Sequence, residues 1–279
     1  MHYVKRFSGF KEFVEFNEEF IDSNPMLYFF LNETIERVLR GEEKVHTFFN
    51  IISDDQVHVS VLLTTVVCLI YDNHYDEAVL KTISDKLEYH KFNRYQFAGS
   101  KQTIEGIFKM HNSNYSIQKH RVIYQCREIT DNFAYAEGKL QMGDINKLDV
   151  LAKLSAGFLK EYYGESKNLQ QVRYTIAAGI QEDSIYQWFN RGKICSIAQS
   201  LNNDYNFPVI GNFYTDPDER NKGYGASIIH GLTKGLLGQG HQFVMLSTNA
   251  LTPSSNRVFE KVGYCNVGEY LLAHKEKDD

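Results

Sequence analysis

The sequence predicts an α/β protein of two domains, each a mixed central β-sheet flanked by helices. Three observations carry that expectation. Segments of helical period alternate with β-branched, strand-like runs along the whole chain. The same order of segments is read twice, once in each half. A glycine-bearing turn joins an apolar strand directly to an amphipathic helix at positions 220–226, in the second half only.

The first half opens with helices. Phe13, Phe16, Phe20 and Ile21 recur at helical spacing, as do Leu27, Phe30, Leu31, Ile35, Val38 and Leu39. Asn24 is placed as an N-cap with Pro25 as the first helical residue, and Gly41 as the stop. Strands are expected at 44–52 and 56–63 around the turn Ser53-Asp54-Asp55, and another ends at Tyr71. A helix at 75–90, a strand at 93–98, a helix ending at Met110 and a long strand at 118–129 complete this half. The second half reads in the same way. A strand at 135–142 precedes two helices, the first carrying Leu148, Leu151, Leu154, Phe158 and Tyr162, the second at 167–178. The hairpin 184–189 and 193–201 turns at Asn190-Arg191-Gly192. Strand 209–215, helix 226–237, strand 242–248, helix 254–262 and strand 265–272 follow. The boundary falls near 129–133, giving an N-terminal domain 1–131 and a C-terminal domain 132–279.

Composition narrows the function. With 279 residues, 43% hydrophobic and 23% charged, the chain has material for two packed cores. Thirty Lys and Arg against 35 Asp and Glu give a formal charge of -5, which provides no general attraction to nucleic acid or an anionic membrane. The apolar stretch 59–71 is too short to span a bilayer, and the first ten residues lack the apolar run of a signal peptide. Cys68, Cys126, Cys195 and Cys265 have neither zinc-ligand nor redox spacing, so buried free thiols in the cytoplasm are expected. The ten histidines show no ligand spacing either, and no metal is expected. The charged tail from His274 reads as a solvated terminus.

The chemistry lies at Arg220-Asn221-Lys222-Gly223-Tyr224-Gly225-Ala226. A helix start presents unpaired N–H groups and the positive end of its dipole, and glycines let that backbone approach an anion closely. Together they suit phosphate or pyrophosphate. The P-loop order is absent, because Ala226-Ser227 follows Gly225 without Lys. The dinucleotide fingerprint fails as well, since Ile228 stands where its third glycine belongs.

The remaining order, Arg-x-x-Gly-x-Gly-Ala after a strand and an acidic Pro-bearing turn, resembles the pyrophosphate loop of GNAT acyltransferases. The segment Thr252-Pro253-Ser254-Ser255-Asn256-Arg257-Val258-Phe259-Glu260-Lys261-Val262-Gly263-Tyr264 is similar to that family's later helix. One helix and one strand separate the two, as in the family. The resemblance carries motifs over about 136–272, and over the first half only in the order of elements. It implies two GNAT-like domains, the first degenerate and without a CoA loop. It also implies that the backbone of Arg220, Asn221, Lys222, Gly223, Tyr224, Gly225 and Ala226 holds the pyrophosphate of acetyl-CoA or another acyl-CoA. The strand end Phe213, Tyr214, Thr215 would splay from its neighbour and pair with the pantetheine arm, with Ser255 and Asn256 near that arm or the thioester.

Many relatives have Tyr, the acid for the departing thiolate, where this chain has Phe259. Tyr264, Tyr214 or water would then supply the proton, with Asn256 as the other catalytic candidate. Asp216, Asp218, Glu182 and Asp183 are possible bases by location. The expected function is direct transfer of the acetyl group to an amine of a small molecule or peptide; the alternative is a non-catalytic acyl-CoA-binding or sensing protein. The oligomeric state stays open, a homodimer included.

Overall fold

A computed structural model describes residues 2–92, 94–201 and 207–276. The chain divides into two compact units: Met1–Ile123 with Gly268–Asp279, and Tyr124–Val267. The expected cut at 131/132 therefore differs from the observed one in an informative way. The last strand is not retained by the second unit: from Gly268 onward it belongs to the first.

The first unit contains β1 (Tyr3–Lys5), α1 (Phe10–Ser23), α2 (Phe29–Leu39), β2 (Val45–Ser53), β3 (Gln56–Thr64), β4 (Val67–Asp72), α3 (Leu80–Leu87), β5 (Gln96–Ser100), α4 (Lys101–Met110) and most of β6 (Tyr115–Cys126). Strands β1 to β4 pair antiparallel in chain order, and β4 pairs β5 in parallel. The free side of β5 takes Tyr270–His274, so the C-terminal strand lies between β5 and β6 in this sheet. Alternate apolar residues of the strands explain the layering. One face, with Val59, Val61, Cys68 and Ile70, packs against Leu80 and Ile83 of α3 and Ile104 and Phe108 of α4. Phe13 of α1 and Leu31 and Ile35 of α2 are also fully buried.

The second unit repeats this order. It has β7 (Lys139–Met142), α5 (Leu148–Tyr163), α6 (Leu169–Gln181), β8 (Ile185–Asn190), β9 (Lys193–Leu201), β10 (Val209–Thr215), α7 (Tyr224–Gly238), β11 (Val244–Asn249), α8 (Pro253–Val262) and the start of β12 (Cys265–Lys275). β7 to β10 are joined antiparallel in chain order, and β10 meets β11 in parallel. Leu151, Leu154, Val172 and Ile176 of α5 and α6 pack on Ile185, Ile194 and Ile197. Ile228, Ile229, Leu232 and Leu236, spaced along one stripe, bury α7.

The helix expected at 75–90 is α-helical only over Leu80–Leu87, because Glu88 turns left-handed at φ +53 and single 3-10 turns flank it. Three further elements depart from the sequence expectation. The second helix starts at Phe29, not Pro25, because the Asn24 side chain accepts the Leu27 N–H in a turn that precedes it. The strand expected at 135–142 shrinks to Lys139–Met142: Gly138 sits at φ +116, and the Tyr135 hydroxyl is bonded to His230. The terminus from His274 is not simply solvated. Lys275 is fully buried, with Nζ donating to the Phe92 carbonyl at 2.7 Å and lying 4.4 Å from the centre of the Tyr89 ring; residues 277–279 lie outside the described residues. Cys68, Cys126 and Cys195 are buried free thiols, whereas Cys265 is exposed. Among the described residues no helix is long and apolar enough to cross a membrane.

Candidate functional site

The second unit opens where the first is closed. In the first, β4 and β5 stay in register from Val67↔Gln96 to Ile70↔Gly99, so tightly that a side chain at Gly99 would collide with the Ile70 carbonyl. In the second, β10 and β11 pair at Val209↔Met245, with the Met245 N–H donating to Pro208. Beyond that rung β10 follows a different course. Its register with β9 gains one residue between Gly211 and Tyr214, and Asn212 adopts φ +47. Such a bulge turns the strand and re-aims its side chains. The β10 end at Phe213, Tyr214 and Thr215 thereby lines a cleft of about 420 Å³.

The floor of this cleft is the start of α7. Asp216 accepts the Asp218 N–H and starts a single 3-10 turn, Pro217–Glu219. Arg220 is extended, Asn221 has φ +63 and Gly223 has φ +83. Gly223 is the N-cap and offers α7 no side-chain acceptor, and the first turn carries no acid. The first N–H groups of the helix thus have no side-chain cap. Gly225 leaves the backbone accessible: a Cβ there would lie 3.0 Å from Thr215 Oγ1 and 3.1 Å from Phe213 Cζ. The first unit has no glycine loop at the equivalent turn, and its 3-10 turn runs directly into α3 at Leu80. There Asp76 caps a 3-10 turn that begins with Glu77.

The predicted residues divide between the cleft and its supports. Phe213, Tyr214, Thr215, Arg220, Asn221, Gly223, Tyr224, Gly225, Ala226 and Ser255 line it. Sequence reasoning missed Glu161, Arg257 and Lys261, which line it as well. The two cations follow from the helical spacing of α8; Glu161 comes from α5 and has no local signal. Lys222 does not line the cleft: Nζ donates to Glu219 at 2.9 Å and to the Asp218 carbonyl. Asn256 is a support, its Nδ2 donating to the Ala250 carbonyl at 3.3 Å, beneath the turn that follows β11.

The expected catalytic phenol is displaced. Tyr264 is buried, and its hydroxyl shares a hydrogen bond of 2.8 Å with Thr233. Burial pushes this phenol far above its ordinary pKa. Phe259 is buried too, packed edge-on against Phe213 at 5.7 Å and near Tyr264 at 6.1 Å. Position 259 therefore belongs to a hydrophobic layer behind the cleft. The phenols that do line it are Tyr214 and Tyr224. Tyr224 accepts from Asn190, and Tyr214 donates to Glu161 at 2.5 Å. Burial, then the Glu161 carboxylate, push Tyr214 up to about 12, so it is a protonated donor at neutral pH.

A second pocket, of about 980 Å³, shares Phe213 with the first. Phe158, Tyr162, Tyr163 and Tyr174 of the two helices, and Ile210 and Asn212 of β10, line it, with Ser247 of β11. Asn212 Oδ1 is buried without a partner in the protein. Among the described residues, Glu165 is the carboxylate that lines it. Asp216, Asp218, Glu182 and Asp183 line neither pocket, and Asp216 is held by Lys193 at 3.1 Å.

Comparisons with known proteins bear on the fold. Residues 189–272 match the family model described as FR47-like protein. No curated protein matches the sequence. An acetyltransferase from the GNAT family of Colwellia psychrerythraea is similar in structure, with a TM-score of 0.56 and 12% identity, covering 99% of this chain and 100% of that one. A GCN5-related N-acetyltransferase from Sphaerobacter thermophilus has a TM-score of 0.53 and 12% identity, covering 88% and 86%. The chain has the fold of GNAT acetyltransferases.

Proposed function

We propose that the second unit transfers an acyl group from acyl-CoA, acetyl-CoA foremost, to an amine of a small molecule or peptide. The observation that carries this reading is the parting of β10 from β11 after Val209 and Met245, beside a helix start whose N–H groups lack side-chain caps. The 420 Å³ cleft takes the pyrophosphate and pantetheine, with Arg220, Arg257 and Lys261 supplying positive charge. The 980 Å³ pocket takes the acceptor, and the thioester lies where Phe213 separates the two.

In this reading the amine nitrogen attacks the thioester carbonyl, the C–S bond breaks, and CoA leaves as a thiolate. Backbone N–H groups freed on β10 polarise the carbonyl, and positioning provides most of the acceleration. The amine sheds its proton to water or Glu165; the thiolate takes one from water or Tyr214. The first unit, with the same order of elements and a closed strand pair, is a degenerate copy that does not hold CoA. The free thiols fit a reducing compartment, the cytoplasm.

Phe259 and the buried Tyr264 favour a second reading, CoA binding without turnover. Calorimetric titration with acetyl-CoA and CoA, wild type beside Gly225→Val, tests the first claim. Saturable binding lost in the variant supports the cleft as the CoA site, and an amine screen then separates turnover from sensing. Wild-type protein that binds neither molecule overturns both readings.

A further inference from the structure

The turn after β4 in the first unit gathers a group of side chains that CoA chemistry does not use. His2 precedes β1, His58 lies on β3, and Asp76 follows β4. One ligand atom from each lies within 4.8 Å of the others. His2 Nε2 is 2.9 Å from Asp76 Oδ2, and His58 Nε2 is 3.8 Å from the same oxygen. Spacing along the chain showed no metal motif, because the three come from separate segments.

The tautomer of neutral His58 is set by its neighbour. Asn73 Nδ2 donates to the Val57 carbonyl at 3.2 Å, which orients the amide so that Oδ1 faces His58 Nδ1 at 2.9 Å. Nδ1 therefore carries a proton, and in the neutral ring Nε2 presents a lone pair. His58 is 1% exposed, and Nε2 is buried without a hydrogen-bond partner. In the neutral ring that lone pair faces a carboxylate oxygen at 3.8 Å, an arrangement that a cation between them would satisfy.

The carboxylate is divided between two tasks. Asp76 Oδ1 accepts the Ala78 N–H at 2.8 Å, which leaves Oδ2 to the histidines. For a tetrahedral ion with bonds of about 2.0–2.1 Å, neighbouring ligand atoms stand about 3.3 Å apart. The two observed separations, 2.9 and 3.8 Å, bracket that value. Two imidazoles and a carboxylate suit a borderline-soft divalent cation, and Asn73 supplies the outer hydrogen bond that such imidazoles need.

We infer that His2, His58 and Asp76 form a binding site for a divalent transition-metal ion of the Zn²⁺ class. The fourth position goes to water or to His74, whose ring is exposed and lies 4.4 Å from that of His58. The ion pins the chain start before β1 to the turn that, in the second unit, is the candidate pyrophosphate loop.

The test is titration of Zn²⁺ into chelator-treated full-length protein, beside His2→Ala and Asp76→Asn. His2 is exposed and the Asn side chain keeps the cap on Ala78, so both variants retain the fold. The expected result is one saturable equivalent that raises the melting temperature, weakened at least about tenfold in each variant. Co²⁺ in the same site should show a visible band that both variants lose. The exposed Cys265 thiol is present in all three proteins, so uptake equal in wild type and variants, or no saturable uptake, overturns the site.

Discussion

Arg220 donates from one guanidinium nitrogen to both carboxylate oxygens of Glu161, at 2.9 and 2.8 Å. The Tyr214 hydroxyl donates to the same carboxylate, and the guanidinium lies 5.1 Å from the centre of the Tyr214 ring. A carboxylate thus occupies the cation of the candidate phosphate loop. CoA binding requires Arg220 to exchange Glu161 for phosphate, or to hold both.

Glu161→Gln should therefore tighten CoA binding. The pair is about half exposed and its attraction is screened, so the gain should be about 1.4- to fivefold, matching the ~0.2–1 kcal/mol of exposed pairs. It should shrink at high salt. Calorimetry at two ionic strengths checks both points; weaker binding instead would mean that Glu161 aids the site by holding Arg220 in place.

Phe259→Tyr should not restore a general acid. The ring is 4% exposed among Phe213, Tyr124 and Tyr264, so the new hydroxyl enters an apolar layer. A buried hydroxyl without a partner costs about 1–3 kcal/mol, which lowers the melting temperature by several degrees. Thermal denaturation and turnover with the acceptor found by screening decide it. Faster turnover at unchanged stability would place position 259 beside the thioester.

Acid should destabilise the second unit through His230. Nε2 faces the Thr130 carbonyl at 3.1 Å and so carries the proton, and Nδ1 accepts from Tyr135 at 2.7 Å. Burial lowers the pKa of the ring; the Thr130 bond opposes this, and Lys234 adds to it. The unfolded chain takes up the proton first, so stability is full above the ordinary histidine value of about 6.5 and falls as pH drops through it. Melting curves from pH 8 to 5 should show that loss, with a smaller drop in His230→Gln. An equal drop in both would assign the acid sensitivity to other groups.

The candidate CoA loop was legible because its determinants are local. Strand, acidic turn, glycines and helix follow one another within 18 residues, from Val209 to Ala226. Each step depends on backbone preferences that the residues themselves impose. Even there, locality went only so far. Lys222 puts a positive charge beside Gly223 in the sequence, yet Glu219, one turn back, holds its ammonium. Tyr264 reads as a nearby phenol, yet packing behind Phe259 buries it against Thr233.

The sequence by itself determined the order of elements, the amphipathic faces and the helix start without a capping side chain. Tertiary structure alone decided which strands part and which stay paired. It sent the C-terminal strand to the first unit, put Glu161 against Arg220, and brought His2 and His58 to Asp76. The physical reason is sequence separation. Hydrophobic period and turn chemistry act over a few residues, whereas a carboxylate 59 positions from its guanidinium meets it only when the sheet is built.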